Sequence, residues 1–159
     1  MSKPAPDLQG LQGWLIVVGL SMVIEPVHIA TIFQELSNNV FHPESWLHRP
    51  DRDFGYSGIL WEPLTYVELA FAFASFWGRV VLLLMFLGKK RAFPQLFIEL
   101  HIVSLVFFFF DRSVLYGIFP SRPLMQPYNI FLFLQAVLPV LIWIPYMQRS
   151  ELVKRTFVE

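Results

Sequence analysis

Five polar side chains stand inside otherwise apolar stretches of the chain: Glu25, His28, Glu68, Arg79 and Gln135. Carboxylates, imidazoles, guanidiniums and amides bind small polar molecules, relay protons, or tie one membrane helix to another. An ionisable group inside a bilayer is costly, so it turns toward protein or water. On helical spacing Ser21, Glu25 and His28 fall at i, i+4 and i+7, and Glu68, Ala72, Ser75 and Arg79 at i, i+4, i+7 and i+11. Each set therefore shares one helix face, and the simplest arrangement puts the two faces together. Counted along the helices, Glu25 lies roughly 18 Å and Arg79 roughly 12 to 15 Å from the same membrane boundary. An arginine side chain spans that gap, so a Glu25–Arg79 ion pair near the midplane is the leading expected contact. His28, Glu68 and Gln135 fall in the other half. With kinks at Pro26 and Pro139, they are expected to line a pocket open to the outer side.

Other chemistries find less support. His28 and His101 are both placed within spans, but their depths differ by about 12 Å on the helical rise, too much for two axial ligands of one haem. His42, Glu44, His48, Asp51 and Asp53 are types that ligate zinc, yet their spacing matches no zinc pattern and they read as solvated loop residues. Glu99 sits soon after Pro94, where it can snorkel toward Lys89, Lys90 and Arg91. The chain contains no cysteine, which removes disulfides and thiolate chemistry. No nucleophile elbow, phosphate loop or HExxH helix is present, so the sequence supports neither an enzyme nor a cofactor, and no metal site is expected.

The elements that position these groups are long apolar helices. Of the 159 residues 55% are hydrophobic and only 15% charged, a composition of a membrane protein rather than of a soluble domain. Twelve basic residues balance twelve acidic ones, so no overall field points to nucleic acid. Leu64 to Leu87 holds 24 residues, two of them charged, and as a helix would be about 36 Å long, enough to cross a bilayer. The sequence predicts a single all-α membrane domain over 1–159, with spans at about 13–33, 64–87, 94–116 and 128–146. The first span is followed by no small-residue cleavage site and reads as uncleaved. Residues 34–61 form a long polar connection, while Pro63 and Pro94 suit the first turns of the second and third helices. Ala70, Ala74 and Gly78 form a small-residue stripe along which a neighbouring backbone is expected to approach. The third span is expected to end near Asp111 and Arg112, and the chain to close in a short basic tail carrying Arg149, Lys154 and Arg155.

Charge distribution orients the spans. The side that holds both termini and the connection between helices two and three collects Lys3, Lys89, Lys90, Arg91, Arg149, Lys154 and Arg155, seven basic residues against four in the opposite loops. The positive-inside rule then places both termini in the cytoplasm and the 34–61 connection outside.

At the C-terminus Ile142, Trp143, Ile144, Pro145 and Tyr146, followed by Arg149, Ser150, Val153, Lys154, Thr156 and Phe157, resemble the ending of a bacterial domain-of-unknown-function family, number 2569. The likeness extends to Gly13, Trp14 and Leu15 and to Phe93 and Pro94. Glu151 and Leu152 stand where that family usually has basic and polar residues. The resemblance implies a four-span protein of the bacterial inner membrane and carries no activity. The sequence thus favours an all-α four-helix transmembrane bundle. Its leading functional reading is a small accessory protein whose polar interior sets helix packing. The partners expected are the lipid bilayer and a membrane protein or a second copy. The alternatives are a small-molecule or lipid-binding carrier, using the five polar residues as its site, and a carboxylate-dependent membrane enzyme.

Overall fold

The computed structural model describes residues 13–41, 61–118 and 127–158. They form four long helices, α1 (Trp14–Phe41), α2 (Trp61–Leu87), α3 (Phe93–Ile118) and α4 (Pro127–Arg149), and one short one, α5 (Glu151–Thr156), with no strand among the described residues. Stretches of 20 to 25 residues in each long helix are long and apolar enough to cross a membrane. Pro63 and Pro94 fall in the first turns of α2 and α3 as expected, where a missing amide leaves nothing unpaired. The zinc-type residues His42, Glu44, His48, Asp51 and Asp53 lie outside the described residues, as does most of the 34–61 connection.

One helix end differs from the expectation. α1 continues past Phe33 to Phe41, through Gln34, Glu35, Ser37 and Asn38. Polarity ends a membrane span but not a helix, and this stretch contains neither proline nor glycine to stop it. α3 runs through Asp111 and Arg112 to Ile118, close to the expected 94–116. Pro26, Pro139 and Pro145 sit inside continuous helices, each removing one backbone bond.

The core lies at the end where α1 and α3 begin. Leu15, Val18 and Met22 of α1 pack there with Leu82 and Phe86 of α2, Phe93 and Phe97 of α3, Met147 of α4, and Val153 and Phe157 of the tail. Gly19 lets α1 come this close, since a side chain there would begin 3.0 Å from the Phe86 ring. The tail is more than a basic extension. Ser150 caps α5 by accepting from the Val153 amide, and Val153, Thr156 and Phe157 are buried while Lys154 and Arg155 face outward. Phe157 stacks on Phe93 with ring centres 4.6 Å apart, and both rings meet Phe86. Trp14, largely exposed at the same end, meets the edge of Trp143, as in an interfacial aromatic belt.

The small-residue stripe of α2 behaves differently from the expectation. Ala70 and Ala74 are exposed, and Gly78 meets the Leu100 side chain of α3 rather than a backbone. Packing follows chain order, α1 on α2, α2 on α3, α3 on α4, and α1 and α4 approach each other closely at few points.

The turn after α2 carries a local strain. The Lys90 amide donates to the Met85 carbonyl and the Lys89 amide to that of Phe86, the two bonds of a Schellman ending. The residue at the left-handed position is Lys89, with φ +49°, rather than the adjacent Gly88. Lys89→Gly is therefore expected to stabilise the protein by about 1 kcal/mol, measured as a rise in the unfolding midpoint in detergent; a fall would show that the lysine side chain contributes more than its backbone strain costs.

Candidate functional site

The polar faces of α1 and α2 meet as expected. Arg79 Nε donates to Glu25 Oε2 at 2.7 Å, and the arginine is buried between the helices with Ala72 and Ser75 of the same face. A third helix joins them. His101 of α3 is 4% exposed, and its Nε2 stands 3.8 Å from Glu25 Oε1, too far for a direct hydrogen bond. Its Nδ1 lies 2.8 Å from the Phe97 carbonyl. A carbonyl only accepts, so the proton of the neutral ring sits on Nδ1 and Nε2 is a bare lone pair.

The other side of the site belongs to α4. Gln135 Nε2 lies 3.1 Å from His28 Nε2, an amide N–H given to a neutral imidazole, and this bond links α1 to α4 across the gap between them. Pro139 has no amide to offer the Gln135 carbonyl, which therefore loses its helical partner one turn below. Between these groups lies a cavity of about 170 Å³ lined by Glu25, His28, Ile29, Arg79, His101, Ser104, Leu105, Gln135, Ala136 and Pro139. His28 and Gln135, both exposed, form its mouth. Three buried polar atoms on its lining residues, Arg79 Nη1, His101 Nε2 and Ser104 Oγ, have no hydrogen-bond partner.

Of the five expected site residues the structure brings four to this cavity, Glu25, His28, Arg79 and Gln135. Glu68 is elsewhere. Eleven residues along α2 from Arg79, or about 16 Å by the helical rise, it stands beside Asp111 and Arg112. Arg112 Nη2 is 2.8 Å from Asp111 Oδ2, and Asp111 is 5% exposed with its other oxygen unpaired. Glu25 and Glu68 therefore belong to separate clusters. Asp111, expected near the end of the third span, is buried within α3.

His101 and Ser104 are the residues that sequence reasoning missed. His101 was weighed as a haem ligand and set aside on depth, yet it and His28 line the same cavity. The signal for His101 was available in its i, i+3 spacing to Ser104, a polar pair in the otherwise apolar stretch 100–110 of α3. Glu99 is exposed and accepts from Gln95 Nε2 at 2.8 Å instead of reaching the basic turn. Among the described residues no three His, Asp or Glu side chains gather as a metal would need.

A double-mutant cycle on Glu25→Ala and Arg79→Ala, read by reversible unfolding in detergent, is expected to give a coupling of roughly 1 to 2 kcal/mol. Additive losses would mean that the two side chains do not act on each other.

Comparison with known proteins matches residues 8–158 to a family described as "Protein of unknown function (DUF2569)". No curated protein and no solved structure matches the chain.

Proposed function

The chain belongs to the DUF2569 family, and on that premise we propose that it is a multi-pass protein of the bacterial inner membrane whose four-helix bundle binds a small polar molecule. The four apolar helices support the membrane assignment. The concentration of Lys3, Lys89 to Arg91, Arg149, Lys154 and Arg155 on one side supports cytoplasmic termini, with residues 42–60 outside.

One observation carries the binding function: Arg79 Nη1, His101 Nε2 and Ser104 Oγ are buried without partners on residues that line one cavity. Such atoms need partners from water or from a guest, and a guest that reproduces several of these contacts at once displaces the water. This separates the proposal from the accessory-protein reading that composition favours. A polar interior serving only to set helix packing pairs its groups across helices, whereas these three sit on residues that line one cavity without a protein partner. The size fits a small guest, because a cavity of ~150 Å³ in a soluble protein admits benzene.

Thermal unfolding of the full chain in lipid nanodiscs, screened against small polar compounds, tests the proposal. An occupant at a hundred times its Kd is expected to stabilise the protein by about 2.7 kcal/mol, and Ala136→Phe, which fills the cavity, should abolish the shift. A screen without any stabilising compound, or equal shifts in both proteins, would contradict it.

A further inference from the structure

The atoms around the cavity restrict the chemistry of what enters it. Arg79 spends only its Nε on Glu25, which leaves Nη1 buried with no acceptor. A guanidinium held at one edge presents its remaining N–H groups in a fixed plane, the geometry that receives a carboxylate. His101 has committed its Nδ1 proton to the Phe97 carbonyl, so Nε2 is open to a second proton.

Charge counting narrows the choice further. The ionisable groups around His101 are Glu25 and His28 from α1 and Arg79 from α2, while α4 faces the cavity with Gln135, Ala136 and Pro139, none of them ionisable. Glu25 and Arg79 cancel. With both histidines neutral the walls carry no net charge, and a buried anion would enter without compensation. One proton on His101 Nε2 raises the walls to +1, which a monoanion neutralises and a dianion exceeds. The same proton resolves the facing of two acceptors, Nε2 and Glu25 Oε1, at 3.8 Å.

We infer that the cavity takes a small monocarboxylate together with one proton, the carboxylate on Arg79 Nη1 and the proton on His101 Nε2. The inference rests on the cavity being a binding site. No covalent bond other than the N–H at His101 changes: the proton comes from solvent on binding and returns to it on release, so the net cargo is one neutral carboxylic acid. A cavity of about 170 Å³ suits a guest of roughly the size of benzene, and butyrate has that size.

Calorimetry on the full chain in phosphatidylcholine nanodiscs provides the test, using butyrate, butyramide and butylammonium as probes in two buffers of different ionisation enthalpy. At about pH 7, where a carboxylic acid is ionised, butyrate is expected to bind with uptake of about one proton. Its affinity should fall about tenfold per pH unit wherever binding takes up one proton, and the amide and the amine should bind at least tenfold more weakly. His101→Gln should abolish the proton uptake and flatten the pH profile. Uptake that persists in His101→Gln, or an amide or amine that binds as well as butyrate, would overturn the inference while leaving the cavity a binding site. If His101→Gln does not fold, the ranking of the three probes on the unaltered protein decides. Failure of all three probes, when the compound screen finds another guest that Ala136→Phe excludes, would sink the inference alone; absence of any guest would remove both readings.

Discussion

A single charged contact, Arg79 Nε to Glu25 Oε2 at 2.7 Å, sets the rotation of α1 against α2. An ionised side chain facing lipid is far more costly than one paired across a helix interface, so Glu25 has to point at α2. Helical periodicity then fixes the rest of α1. Leu15, Val18 and Met22 turn into the core, and Ile16, Leu20, Val23, Ile24 and Val27 turn outward, where their apolar surface suits a bilayer. His28, one turn beyond Glu25, is left to meet Gln135 of α4.

The two ends of the helix assembly do different work. Where α1 and α3 begin, the rings of Phe86, Phe93 and Phe157 hold the tail against the turn between α2 and α3, and Gly19 admits α1 to close contact. Farther along, the helices separate around polar groups. α1 and α4 are bridged by the His28–Gln135 bond instead of by continuous packing, and the cavity occupies the space between them. Proline adds to this looseness, because Pro26 and Pro139 each leave a carbonyl on these same two helices without its amide. Tight aromatic packing at one end thus supports a polar opening in the middle of the helices.

Much of this was legible in residue order. The four long apolar stretches, the shared faces of α1 and α2, and the Glu25–Arg79 contact all follow from hydrophobic length and a 3.6-residue period, which are local properties of a chain. What was not legible depends on offsets between helices. Glu68 lies on the face of α2 that carries Arg79, but about three turns of rise separate them, and which side chain of α3 stands at that level cannot be counted from α2 alone. The approach of His101 to Glu25 was hidden for the same reason. Hydropathy also marks where lipid ends rather than where helical bonding ends, so α1 runs on through Glu35 to Phe41. The docking of α5 was hidden because its buried residues, Val153, Thr156 and Phe157, are too few and too closely followed by charge to read as a core element.

The account stands on a polar, water-accessible space enclosed within apolar helices, and the absence of native cysteine makes that directly measurable. Single cysteines at Ser104, which lines the cavity, and at Val103, which is exposed on the outer surface of α3, can each be treated with a membrane-impermeant methanethiosulfonate in proteoliposomes. Thiolate forms only where water reaches, so Ser104→Cys should react and Val103→Cys should not. Reaction at Val103→Cys with none at Ser104→Cys, or equal behaviour of the two, would contradict a hydrated cavity behind Arg79 and Glu25.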